Sequence, residues 1–398
     1  MSNDKEDKMH ASLTRKLRFK SGLDAKSIAW SSEHHWIACG GRGGSLTVHG
    51  LEADKDVSNI YGGGVSTNGN TEITNASVDL TKYATLQDKA HDKTTTVVAV
   101  EWNNQHKKLL TCDDSGLFIV WSQVNGVWLM EMINQQKSKQ LCGVQWSPDG
   151  SRVCFAYTDG YLMVGSVGGD RLWAQEVGYT MCGMSWSPDS TELLIVAPTS
   201  RELHLLSSKD GQLLRKAAMV CSPPPVTPKS PTSAFTMLKS LFTSPKPKVP
   251  LAIVRWSHQP KDFSSDTNDQ VARIAVCYVE AGSVQLMRNA TDPTPRLVDT
   301  SLRIADLQWN PAGSVLAVLG SATQPQPTTT STTAVVQFFS NVGQHLSTLT
   351  LPGSRCGGVA WEGNGERVVA TVDACAYFAN MVKGDALSDP PACAVDSD

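Results

Sequence analysis

Seven tryptophans in one recurring setting constrain this chain more than any other feature of it. Trp30, Trp102, Trp146, Trp186, Trp256, Trp309 and Trp361 each follow an aliphatic residue by one or two places, and a polar turn usually comes next. The turns read WSSEHH, WNNQHK, WSPDGS, WSPDST, WSHQPK, WNPAGS and WEGNGE. The stretch from Val144 to Trp173 shows what one copy encodes. Trp146 ends a short apolar strand, and Ser147-Pro148-Asp149-Gly150 turns the chain back. Pro suits the second position of such a turn, and Gly supplies the backbone freedom to leave it. Val153, Phe155 and Tyr157 then alternate with smaller residues, the period of a half-buried strand. Thr158-Asp159-Gly160 turns again, and Tyr161 to Val164 begin a third strand. Three short antiparallel strands within roughly 30 residues make most of a propeller blade.

Successive tryptophans lie 72, 44, 40, 70, 53 and 52 residues apart. Blades of the WD type repeat roughly every 40–45 residues, so the longer intervals need insertions in loops. Because each blade buries its faces only against its neighbours, the seven copies predict one large domain. The expected fold is all-β: a seven-bladed WD-type β-propeller over residues 13–381. Leu13 to Lys20 (LTRKLRFK) has no strand before it to pair with. The last repeat supplies three strands, around Val359–Trp361, Val368–Val372 and Tyr377–Ala379. The N-terminal strand is therefore expected to complete the last blade, which closes the ring and removes an exposed sheet edge. Residues 1–12 are expected to be disordered and 382–398 to form a polar tail.

Three insertions interrupt the pattern. Residues 53–81 are Gly-, Asn- and Thr-rich and too poor in apolar groups to pack. Residues 321–333 (SATQPQPTTTSTT) are of low complexity and fall between two strands of blade six. Residues 221–250 are of another kind. No acidic residue occurs from Gly211 to Pro260, and Ser222, Thr227, Ser230 and Ser244 each precede a Pro. Such composition stays disordered and suits proline-directed phosphorylation. Within it, Phe235, Leu238, Leu241 and Phe242 would share one face of a short helix. This stripe is either a docking element for a partner or a loop pinned to the propeller's own surface.

Searching for chemistry yields little. Gly40-Gly41-Arg42-Gly43-Gly44 lacks the Lys of a phosphate-binding loop and reads as a strand-joining turn. The turns expected at the central mouth carry Arg42, Asp114, Asp159 and Arg201, a mixed set without a repeated catalytic type. No enzyme activity, metal or cofactor is expected; Arg42 and Asp159 are instead candidates for partner contact. The ten cysteines form no C-x-x-C pair, and Cys39, Cys112, Cys154 and Cys277 fall in predicted strands, where a thiol acts as a small hydrophobe. A net charge of −3 gives no drive toward nucleic acid, and no apolar run is long enough to span a membrane.

The runs EWNNQHKKLLTCDDSGLFIVW (101–121), MEMINQQKSK (130–139), DGYLMVGSVGGDRLW (159–173) and WEGNGERVVATVDACAYFAN (361–380) are specific beyond a generic repeat. They resemble the N-terminal propeller of the WD repeat-containing protein 35 family, subunits of intraflagellar transport complex A. The propeller of tubby-like proteins is a more distant likeness. The resemblance covers about Ala25 to Asn380. It implies a non-catalytic scaffold in retrograde ciliary transport and ciliary entry of membrane proteins, located in cytoplasm, cilium and basal body. Implied partners are other complex A subunits, with membrane-protein cargo or tubby-like adaptors beside them. The tubby-like likeness leaves open a substrate-recognising adaptor of a ubiquitin ligase. The family continues into a second propeller and a helical-repeat tail that this chain does not include, so contacts made there are not carried over. From WD repeats at large comes a further expectation: His91, Thr111, Asp114 and Trp121 would form a buried hydrogen-bonded tetrad, with the acidic position open by one residue.

Overall fold

Apolar stretches cut by turns fold, among the described residues, into 28 strands grouped as seven four-stranded antiparallel sheets. The computed structural model describes residues 9–19, 23–51, 80–84, 90–125, 127–136, 140–224, 249–257, 271, 273–324 and 331–383. Among them there is no helix. Blade one holds β2 (Ala25–Trp30), β3 (Trp36–Gly41), β4 (Leu46–Leu51) and β5 (Leu80–Ala84). Blade two holds β6 (Val97–Asn103), β7 (Lys108–Asp113), β8 (Leu117–Val124) and β9 (Val127–Gln135). Blade three runs through β10 (Leu141–Trp146), β11 (Arg152–Tyr157), β12 (Tyr161–Ser166) and β13 (Arg171–Glu176). Blade four runs through β14 (Gly183–Trp186), β15 (Glu192–Ala197), β16 (Glu202–Ser207) and β17 (Leu213–Ala218). Blade five comprises β18 (Ala252–Trp256), β19 (Ile274–Tyr278), β20 (Ser283–Met287) and β21 (Arg296–Asp299). Blade six comprises β22 (Arg303–Trp309), β23 (Val315–Gln324), β24 (Ser331–Ser340) and β25 (His345–Leu351). Blade seven joins β26 (Cys356–Trp361), β27 (Arg367–Val372) and β28 (Cys375–Lys383) to β1 (Met9–Arg18), in the order β1-β28-β27-β26.

The first strands of the blades touch in sequence from β2 round to β26, and β26 touches β2 again. The ring is closed. β1 clasps it shut, pairing along β28 from Met9↔Lys383 to Arg18↔Cys375. This strand begins at Met9, so residues 9–12, expected to be disordered, are strand; Met9, Ala11 and Leu13 pack against the blade six–seven core. The low-complexity stretch 321–333 is also shorter as a loop than expected, because β23 and β24 extend as a ladder out to Gln324↔Ser331. Its threonines are β-branched and suit a strand. Leu80 and Thr81, placed in the first insertion from the sequence, belong to β5. The rest of 53–81 lies outside the described residues, as does most of 221–250. At the far end, β28 runs two residues into the expected tail.

Buried side chains fall into seven clusters, one at each blade–blade interface. A middle strand therefore serves two cores at once. In β15, Leu194 and Val196 face blade five while Leu193 and Ile195 face blade three. That is why these strands read as continuous apolar runs rather than as half-polar alternation. The nine described cysteines are free, and burial pushes the Cys39 thiol up to about 12.

Candidate interaction site

Each anchoring tryptophan faces the preceding blade, and four of them do more than pack. The indole Nε1 of Trp102 donates to the carbonyl of Ala29 at 3.1 Å, and that of Trp186 to Gln145 at 3.0 Å. Trp309 donates to Arg255 at 3.1 Å, and Trp361 to Gln308 at 3.0 Å. In every case the acceptor is the residue just before the preceding blade's own tryptophan. The innermost strands are thus riveted to one another at four of the seven interfaces. Trp30 and Trp146 are equally buried, yet their indole nitrogens have no partner.

That same position, one residue before the tryptophan, also supplies the polar groups that gather at the axis. Arg255 donates through Nε to Gln308 Oε1 at 2.7 Å and through Nη2 to Asp306 Oδ1 at 3.4 Å. Asp306 accepts in addition from the amides of Leu307 at 2.9 Å and Val359 at 3.0 Å. Blades five, six and seven are linked here by one carboxylate. Glu101 comes from blade two, on the far side of the ring. Its carboxyl is pushed up to about 7 by burial, with the Asp306 charge adding to the rise and Arg255 opposing it. The Arg255 and Asp306 charges thus act on a group from the opposite side of the ring. Arg255 pairs with the Asp306 carboxylate, and both charges act on the Glu101 carboxyl.

The blade-two tetrad is assembled with a different acid from the one expected. His91 Nδ1 lies 2.8 Å from Asp113 Oδ2, and His91 Nε2 lies 2.9 Å from Thr111 Oγ1. Trp121 Nε1 donates to the same Thr111 hydroxyl at 3.0 Å. Asp114 is exposed and accepts instead from the amide of Thr96 at 2.9 Å. β7 ends at Asp113, which pairs with Val97 of β6 and is buried, whereas Asp114 opens the following turn and is exposed. Burial raises the Asp113 carboxyl, but hydrogen bonds from His91 and Ser115, the His91 ring's charge and the Leu117 amide more than offset it, and the net shift is downward.

Arg42 and Asp159 both sit in second-to-third-strand turns, hence at one end of the ring. Arg42 Nε pairs with Asp24 Oδ2 at 3.1 Å, and Asp24 is shared with Arg355 at 3.4 Å. Arg355 in turn holds Asp373 at 2.9 Å, which ties blade one to blade seven. Asp159 accepts from the amide of Tyr161 at 3.1 Å within its own turn. Phe235, Leu238, Leu241 and Phe242 lie outside the described residues. Both ends of the 221–250 insertion and the β23–β24 hairpin emerge at this same end of the ring. One surface was not anticipated from the sequence. On the outer strand β9, Val127, Leu129, Met130 and Ile133 are all exposed, beside a trio of buried Trp128 and half-buried Trp36 and Trp102 with ring centroids 5.4–5.7 Å apart.

Comparison with known proteins places this geometry. Residues 9–382 match the family model described as WDR35/TULP4 N-terminal. WD repeat-containing protein 35 from rat and from human are each 30% identical over 369 residues, 93% of this chain and 28% of the relative. The chain thus spans under a third of the length of these relatives. Tubby-related protein 4 from mouse is 28% identical over 273 residues, covering 64% of this chain and 16% of that protein. Among solved structures, the Cps50 (Swd1) β-propeller domain of Myceliophteria thermophila superposes with a TM-score of 0.61 over 94% of this chain and 100% of that one. At 9% identity, that likeness speaks for the fold alone.

Proposed function

The chain belongs to the WDR35/TULP4 N-terminal family of β-propellers, and from that premise we propose that this WD-repeat scaffold works as a subunit of intraflagellar transport complex A. In this reading it makes no chemistry of its own. It serves retrograde ciliary transport and the entry of membrane proteins into cilia, at the cilium and its basal body. The observation that carries the reading is the similarity to WD repeat-containing protein 35 along 93% of the chain, beside a family-model match over residues 9–382 that takes in the closing strand and all seven blades. Its partners are then other complex A subunits, with membrane-protein cargo or tubby-like adaptors as further occupants. In this reading the apolar stripe Phe235, Leu238, Leu241 and Phe242 is the partner-binding element, and Arg42 and Asp159 are further contacts.

The likeness to Tubby-related protein 4 favours a second reading, a substrate-recognising adaptor of a ubiquitin ligase. Affinity purification of the tagged chain from ciliated cells separates the two. Complex A subunits among the co-purifying proteins support the first reading; ligase components in their place support the second and overturn the first.

A further inference from the structure

Seven Ser-Pro or Thr-Pro pairs occur in the sequence, and four lie within the described residues: Ser147, Ser187, Ser222 and Thr294. Their surroundings differ in ways that decide what each hydroxyl can become. Ser147 and Ser187 are buried in first-to-second-strand turns. Ser147 Oγ donates to Asp149, and Ser187 Oγ to Asp189 at 2.7 Å. A phosphate at either place would break the turn and meet a carboxylate. Thr294 is exposed and accepts from Arg288 at 3.0 Å, but Arg288 already holds Asp292 at 2.7 Å. A phosphate there would compete with a carboxylate beside it.

Ser222 stands apart. It is exposed, and its hydroxyl accepts from the Arg201 guanidinium at 3.2 Å. Among the described residues no carboxylate pairs with Arg201. The nearest in sequence, Glu202, is engaged by His204 at 2.8 Å and Lys216 at 3.1 Å. Arg201 is held in place as well: it sits at φ +53° in the β15–β16 turn, and its carbonyl accepts from Met219 at 2.9 Å. The approach to Ser222 is fixed from the other side by Gln285, which is fully buried. Gln285 Oε1 accepts from the amides of Val220 at 2.7 Å and Cys221 at 3.2 Å, and its Nε2 donates to the Ala218 carbonyl at 3.2 Å. Exposed Pro223 follows directly, and the absence of acidic residues from 211 to 260 leaves no like charge along the chain.

We propose that Ser222 is a phosphorylation site for a proline-directed protein kinase, and that Arg201 is the preformed receptor for the phosphate. In the transfer, the Ser222 oxygen bonds to the γ-phosphorus of ATP and the bridge to the β-phosphate breaks. ADP leaves, and the hydroxyl proton passes to the kinase base and then to solvent. The phosphoserine exchanges a neutral contact for a charge-assisted one with a forked donor. It adds a clamp one residue beyond the point where Gln285 holds the chain, on the end of the ring that carries Arg42 and Asp159.

The test uses the full chain with Thr227→Ala, Ser230→Ala and Ser244→Ala, a purified cyclin-dependent kinase and ATP. Mass spectrometry should place phosphate on Ser222 and leave Ser147, Ser187 and Thr294 unmodified. In a phosphorus NMR titration, the phosphoserine midpoint should lie about half a unit or more lower with Arg201 present than in Arg201→Gln, with Arg201→Lys between. Absence of phosphate from Ser222 overturns the site. Equal midpoints in the native and Arg201→Gln chains overturn the receptor.

Discussion

The indole nitrogen of Trp186 donates to the main-chain carbonyl of Gln145, 3.0 Å away on the innermost strand of the preceding blade. Trp146, in the equivalent place one blade earlier, is as deeply buried but has no acceptor for its own indole nitrogen. The repeat residue is therefore a packing element everywhere and a rivet only at some interfaces.

Substitution to Phe separates the two roles. Trp186→Phe should cost more than Trp146→Phe by about 1–2 kcal/mol, because it leaves a buried carbonyl without its donor. Trp146→Ala should cost about 3–5 kcal/mol through lost packing alone. Denaturant unfolding of the variants gives these differences directly.

In the blade-two tetrad, Asp113→Asn should destabilise the chain by about 3 kcal/mol, since it removes a buried carboxylate that accepts several hydrogen bonds. Asp114→Asn, at an exposed carboxylate holding one amide, should cost no more than about 1 kcal/mol. Because the Asp113 carboxyl is depressed on folding, its contribution is present above the unfolded value of about 3.9 and is lost as pH falls through the folded one. Thermal melts of native and Asp113→Asn chains should converge as the solution is acidified.

Glu101 works with the opposite sign. Its carboxyl rises on folding to about 7, chiefly through burial. Its neutral form is thus favoured in the folded chain, and stability falls as pH climbs from about 4.3 toward 7. Glu101→Gln should abolish that slope. After allowance for water in the channel, it should raise stability at pH 8 by roughly 1–2 kcal/mol. A variant no more stable than the native chain at pH 8 would place Glu101 off the axis.

Much of this was legible in the sequence. The seven tryptophans and their turns specify the blades, and an unpaired N-terminal strand beside a three-stranded last repeat specifies the closure. What was hidden depends on register and on contacts far apart in the chain. Asp113 and Asp114 are adjacent acids, and the one that closes β7 against β6 is the one buried. Gln324 and Ser331 belong to a stretch whose composition reads as loop, yet a ladder satisfies its backbone. Glu101, Arg255 and Asp306 come from three blades, and nothing local marks them as neighbours. The position before the tryptophan was nevertheless there to be read, since in four of the seven copies it holds a charged or amide residue, Glu101, Gln145, Arg255 or Gln308.

Closure and function meet in one comparison. The tagged chain and a variant lacking residues 1–21 are expressed in ciliated cells, and the co-purifying proteins are quantified. The variant loses β1 and with it the pairing to β28, so it should melt well below the intact chain. The account predicts that other complex A subunits are enriched on the intact chain and lost from the open-ring variant. Ligase components in their place, or equal recovery of complex A subunits on both chains, would contradict it.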